Sequence, residues 1–162
     1  MAKVSQSLHI KCRRPVQPFS NLLVAGLLLT SLPALALDYR SVAVRRAVMY
    51  DAPSLQAAKL HVVGQYYPVE VIVNIGEWIK ARDNSGELAW LESKSLTDKR
   101  MVMVTVPRAE VRASADAASA VVFRAEKDVV LELVEVGADG WAKVRHRDGL
   151  AGYILSAQVW GL

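Results

Sequence analysis

Short runs in which every second residue is hydrophobic follow one another along much of the chain. Residues 69–75 are a clear example, residues 130–136 form a second, mainly hydrophobic run, and both runs are rich in β-branched side chains. Runs of this length and period predict β-strands. Between such runs, segments 83–86 and 147–149 contain glycine beside Asp, Asn or Ser, a composition typical of hairpin turns. The pattern therefore predicts an all-β fold.

The strand pattern occurs twice, with a period of about 62 residues. Stretches 78–91 and 141–154 share a Trp-x-Lys-x-Arg run, a glycine-containing turn and a closing aromatic residue followed by an aliphatic one. Segments 54–60 and 115–121 occupy corresponding places between strands and are predicted to be loops. Short strands with close turns in a unit of this length are typical of a small barrel. We therefore predict two such barrels in tandem.

In these motifs the chain resembles the bacterial SH3-like domain family, in tandem form. The second copy fits the family pattern closely, with Gly140 and Gly152 each preceding an aromatic residue of the motif. The first copy departs from it, because Glu77 and Ala89 stand in those two places. The resemblance implies a five-stranded barrel for each copy and a binding role associated with the cell wall or envelope. It does not imply one particular ligand.

The first 36 residues follow a different pattern, that of a secretory signal peptide. Basic residues at positions 11, 13 and 14 precede the apolar run 22–32, and Ala-Leu-Ala follows at 34–36. We expect cleavage after residue 36, a periplasmic or otherwise exported protein, and barrels spanning 37–95 and 96–162. The link at residues 96–100 is short and polar, so the two barrels are expected to touch. The alternative is an uncleaved anchor, although the apolar run is shorter than the ~20 residues that a membrane-spanning helix needs. After cleavage we expect no stable membrane span.

The distribution of charge argues against a nucleic-acid partner. Four of the 20 Lys and Arg residues lie within the first fourteen positions, and all 16 Asp and Glu residues come after residue 36. Beyond residue 36 the chain therefore has 16 basic and 16 acidic residues, so their formal charges cancel. The sequence pI of about 9.3 reflects the leader and not a basic binding surface.

The motifs of common catalytic and metal sites are missing from the sequence. Cys12 lies in the leader, and the sequence contains no HExxH, G-x-S-x-G or glycine-rich phosphate-binding motif. His61 is expected in a loop and His146 on a hairpin, at unmatched positions of the two copies. We therefore predict that the protein is not an enzyme and uses no cofactor or metal.

Alternation along the Trp-x-Lys-x-Arg strand places its aromatic and basic residues on the outer face. Ile79 and Ala81 point to one side and are assigned to the core, so Trp78 points outward. Exposed aromatic residues are common ligand platforms. The alternative is that each Trp covers a barrel end or the contact between the barrels. The predicted ligand-binding residues are Trp78, Tyr50, Tyr66, Tyr67 and Trp141, with the main site in the first barrel beside Trp78.

The sequence thus predicts a non-catalytic binding module that recognises cell-wall peptide or an envelope protein through an aromatic groove. A structural scaffold that mediates protein–protein contacts in the envelope is the alternative.

Overall fold

The computed structural model describes residues 37–162 and confirms the all-β prediction. The first repeat contains the strands β1 Asp38–Val42, β2 Arg46–Tyr50, β3 Lys59–Gly64, β4 Pro68–Asn74, β5 Trp78–Arg82, β6 Leu88–Glu92 and β7 Leu96–Thr97. The second repeat contains β8 Met101–Val104, β9 Arg108–Arg112, β10 Val121–Glu126, β11 Val130–Val136, β12 Trp141–Arg145, β13 Ala151–Leu155 and β14 Val159–Trp160. The expected signal peptide, residues 1–36, lies outside the described residues.

Each repeat forms one antiparallel sheet, and the two sheets have the same strand order. The order is β3-β2-β6-β5-β4-β1-β7 in the first repeat and β10-β9-β13-β12-β11-β8-β14 in the second. Each sheet has seven strands where five were expected. The additional strands include β7 in the first sheet and β14 in the second. Each has two residues and is too short to show a hydrophobic period.

Each sheet closes around a core of its own. Inward-facing residues from six strands meet in one cluster in the first repeat: Val42, Ala47, Met49, Val63, Val69, Ile79, Ala81, Ala89 and Leu91. The second repeat has an equivalent cluster drawn from β8 to β13. Side chains from strands at distant places in one sheet touch only if that sheet curls into a barrel, which is the predicted architecture.

The two repeats pack directly against each other, as their short connection predicted. Residues 98–100 are the only ones between β7 and β8. The rings of Tyr39 and Trp160 meet edge to face at 5.4 Å, and the guanidinium of Arg100 lies 5.5 Å from the Tyr39 ring. A guanidinium nitrogen of Arg100 also donates a hydrogen bond of 3.0 Å to the carbonyl of Gly161. We call this contact region the seam.

One local expectation is corrected. His61 was expected in a loop, but it lies within β3, with its Nε2 3.7 Å from a carboxylate oxygen of Asp83. The strand begins at Lys59, so the loop before it is shorter than the sequence indicated. Within residues 37–162, no helix is long and apolar enough to cross a membrane.

Candidate functional site

Trp78 lies at the start of β5 with its side chain on the outer face of the first barrel. Ile79 and Ala81 are fully buried in the core, so the predicted alternation along β5 is confirmed. The Trp78 side chain is half-buried, and the ring of Tyr50 meets it edge to face at 5.6 Å. Tyr50 itself is only 6% exposed. Tyr50 therefore holds the indole in place from within the protein, and Trp78 presents the surface that a ligand can reach.

An open groove of about 480 Å³ lies beside Trp78. One side of the groove is the loop between β2 and β3, residues 51–58, and the other includes Glu77, Glu92 and Lys94. The loop is held by its own hydrogen bonds: the Ala58 amide donates to the Asp51 carboxylate at 3.0 Å. A preformed wall of this kind reduces the ordering cost of binding.

The charged rim of the groove is slightly acidic. Two carboxylates, Glu77 and Glu92, face one ammonium group, that of Lys94. Lys94 donates a hydrogen bond to Glu92, with 2.6 Å between nitrogen and oxygen, and this bond raises the pKa of Lys94 above its usual value. The groove therefore suits a ligand that stacks an apolar or cationic portion on the indole.

Sequence reasoning missed Trp90, which joins the same outer surface. Trp90 lies on β6 directly across from Lys80 on β5, and the Lys80 ammonium is 5.9 Å from the centre of its ring. Trp90 also pairs across strands with Tyr50. The signal was available, because Ala89 and Leu91 read as core positions and leave Trp90 pointing outward.

Tyr66 and Tyr67 do not line the groove beside Trp78. The Tyr67 hydroxyl donates a hydrogen bond of 2.7 Å to the side-chain oxygen of Asn84, and burial raises the Tyr67 pKa. Tyr66 lies in the turn between β3 and β4, with its side chain exposed toward the second repeat. The structure therefore brings together Trp78 and Tyr50 from the predicted set, and places these two tyrosines elsewhere.

Trp141 corresponds to Trp78 in the second repeat but is buried, at 8% exposed, whereas Trp78 is partly exposed. Arg112 stands in the place of Tyr50 and donates hydrogen bonds to the Ser119 carbonyl and to Glu110. Lys143 lies 5.9 Å from the ring of Tyr153, as Lys80 lies beside Trp90. The two repeats thus share a framework while their outer faces differ in what they expose.

A family model described as the bacterial SH3 domain matches residues 43–98 and again residues 105–161, which together make up more than half of the chain. The chain belongs to the bacterial SH3 domain family. Two matches confirm the tandem arrangement of bacterial SH3 domains: β2–β7 lie within the first match and β9–β14 lie within the second. Bacterial SH3 domains are binding domains, which is compatible with the prediction of a non-enzyme.

Some solved structures resemble this tandem of bacterial SH3 domains. NlpC2 from Trichomonas vaginalis is 15% identical, with a TM-score of 0.36 over 77% of this chain and 48% of that one. NlpC1 from the same organism is 14% identical, with a TM-score of 0.36 over 80% and 47%. An NlpC/P60 family protein from Bacillus cereus is 13% identical, with a TM-score of 0.35 over 75% and 55%. The chain spans about half the length of these proteins. No curated protein matches the sequence.

The part of the chain that the structure describes contains no cluster of three or more His, Cys, Asp or Glu side chains placed to hold a metal ion.

Proposed function

We propose that the protein is a non-catalytic binding module of the cell envelope that recognises cell-wall peptide through the groove beside Trp78. The observation that supports this most is the contrast between the two equivalent tryptophans. Trp78 is partly accessible at the wall of an open groove, whereas Trp141 is enclosed. A large aromatic side chain that is braced by a buried neighbour and still reachable is a typical binding anchor.

The proposed location is the periplasm or another exported compartment. It rests on the leader pattern, which predicts a mature protein that starts at Leu37 and carries domains 37–95 and 96–162. N-terminal sequencing of the protein recovered from cells tests this proposal. An intact leader on a cytoplasmic protein would show it to be wrong.

The binding proposal is tested by measuring retention on purified cell-wall sacculi for the unmodified protein and two matched variants. Trp78→Ala removes the accessible indole, and loss of a central aromatic anchor costs about 2 kcal/mol, or roughly thirtyfold in affinity. Trp141→Ala removes the enclosed counterpart and is expected to lower the melting temperature while the folded fraction still binds.

Thermal unfolding of the same variants separates a binding role from a structural one. If Trp78→Ala melts early and its folded fraction binds sacculi as the unmodified protein does, the groove is not the site. If the unmodified protein is not retained on sacculi but co-purifies with envelope proteins after cross-linking, it acts as a scaffold and the wall-binding proposal fails.

A further inference from the structure

A second cavity, of about 710 Å³, lies between the two domains and is separate from the groove beside Trp78. The first domain contributes the turn between β3 and β4, which includes Tyr66. The connection contributes Lys99, and the second domain contributes Glu132, Arg145 and Arg147. We call this cavity the inter-domain cleft.

Tyr66 has a backbone conformation that its side chain disfavours. Its φ angle is 70°, in the left-handed region, where bulky residues are strained. The equivalent turn in the second domain makes the same backbone contacts and holds Asp128 at a φ of 67°. Asp tolerates this conformation because its side chain is short and polar. The first domain thus keeps an aromatic residue where the turn favours a small polar one, and Tyr66 is 41% exposed at the wall of the cleft.

The cations of the cleft keep unused hydrogen-bonding capacity. Glu132 is shared between Lys99 at 3.4 Å and Arg145 at 3.9 Å, both longer than a charge-assisted hydrogen bond. The equivalent pair in the first domain, Glu70 and Arg82, is closed at 3.0 Å, and Glu70 is only 6% exposed. The equivalent ion pair of the second domain, Glu132 and Arg145, is therefore more widely separated than that of the first.

The balance of charge in the cleft favours an anion. Three permanent cations, Lys99, Arg145 and Arg147, line it together with one carboxylate, Glu132. The Lys99 ammonium also lies 5.4 Å from the centre of the Tyr66 ring, so the aromatic and cationic groups form one continuous surface. A guanidinium and an ammonium with free donors match the two oxygens of a carboxylate.

We propose that the inter-domain cleft binds a carboxylate of the ligand between Lys99 and Arg145, with the adjoining part of the ligand packed on the Tyr66 ring. This inference deepens the proposed function, and it rests on that function for the choice of cell-wall peptide as the ligand. The groove beside Trp78, with its slightly acidic rim, then holds a different portion of the same class of ligand.

The test uses the purified protein and a soluble cell-wall peptide with a free C-terminal carboxylate, compared with the same peptide amidated at that end. Isothermal titration and ¹⁵N-resolved NMR measure affinity and show which side chains respond. We expect the amidated peptide to bind at least tenfold more weakly and the Arg145 side-chain signal to shift only with the free carboxylate.

Two variants and one control assign the effect to the cleft. Arg145→Gln removes the guanidinium, and Tyr66→Asn removes the ring while supplying a residue that suits the left-handed turn. Each should weaken binding at least tenfold, and Tyr66→Asn should melt no earlier than the unmodified protein. Arg108→Gln removes an arginine on β9 that does not line the cleft and pairs only loosely, at 3.8 Å, with Glu126. This control should bind normally.

The outcomes separate the two proposals. If the free and amidated peptides bind equally, or if Arg145→Gln and Tyr66→Asn bind like Arg108→Gln, the cleft proposal is wrong. In that case sacculus binding that still depends on Trp78 leaves the proposed function standing. If the peptide does not bind and the sacculi do not retain the protein, both proposals fail.

Discussion

At the scale of single residues, Gly152 marks a point where two strands of the second domain approach unusually closely. A Cβ atom built at Gly152 would lie 2.5 Å from the Arg112 carbonyl oxygen and 2.8 Å from a methyl group of Val111. Because the carbonyl belongs to the backbone, it cannot move without shifting β9. We predict that Gly152→Ala destabilises the protein by about 2 kcal/mol, as expected for overpacking.

Denaturant unfolding of Gly152→Ala against Gly64→Ala measures this effect. A Cβ at Gly64 would meet no atom within 4 Å, so the second substitution controls for the loss of glycine flexibility. Equal stability of the two variants would contradict the close approach.

The sequence predicted single residues well where strand alternation decides their place. It assigned Ile79 and Ala81 to the core and Trp78 to the outer face, and the structure agrees. It grouped Tyr66 and Tyr67 with Trp78 because they add aromatic character to one repeat, but aromatic content contains no information on where a turn points its side chains. The enclosure of Trp141 likewise depends on packing that no local pattern reports.

At the scale of elements, the carboxylate of Asp83 stabilises the hairpin between β5 and β6. An oxygen of Asp83 accepts hydrogen bonds from the amides of Ser85 and Glu87, both at 2.9 Å, and from the Ser85 hydroxyl at 2.7 Å. Asp83 is buried, so its loss would leave amide donors without a partner. We predict that Asp83→Ala costs about 2 kcal/mol of unfolding free energy.

The equivalent hairpin of the second domain provides the comparison. His146 stands in the place of Asp83. Its ring nitrogen Nδ1 accepts one long hydrogen bond, of 3.4 Å, from the Asp148 amide. His146→Ala should therefore cost clearly less than Asp83→Ala when both are measured by denaturant unfolding. Similar losses would show that the carboxylate is not what fastens the turn.

The sequence pattern identified the long strands and missed the strands in which polar and apolar residues do not alternate. Strand β8 reads Met-Val-Met-Val, and all four of its residues are buried. A strand covered on both faces shows no alternation of polar and apolar residues, so periodicity cannot detect it. The two-residue strands β7 and β14 are defined by their pairing partners alone.

At the scale of the whole molecule, the seam predicts that the two domains unfold together. Each barrel is small, and domains of about 60 residues are marginally stable alone. The seam adds the Tyr39–Trp160 contact and the bond from Arg100 to Gly161. Calorimetry should show one transition for the unmodified protein. Trp160→Ala, which removes the ring against Tyr39, should lower the melting temperature and split or broaden that transition.

A different result would be informative about the seam. Two well-separated transitions in the unmodified protein would mean that the domains are energetically independent despite their contact. The sequence predicted that the barrels touch, from the short connection between them. It could not name Tyr39 and Trp160 as partners, because residues so far apart in the chain share no local pattern.

The seam also restricts which spacings between ligand groups the pair of domains can recognise. A tandem joined by a flexible tether adapts to any spacing between ligand groups and gains avidity through a high effective concentration. Here the three-residue connection and the packed seam leave the Trp78 groove and the inter-domain cleft at one fixed separation. If both sites bind as proposed, the protein gains avidity on a polymer of repeated units only where a carboxylate and an apolar or cationic portion have the spacing that fits the two sites. Lattice geometry, and not only the chemistry of one unit, would then decide where it accumulates.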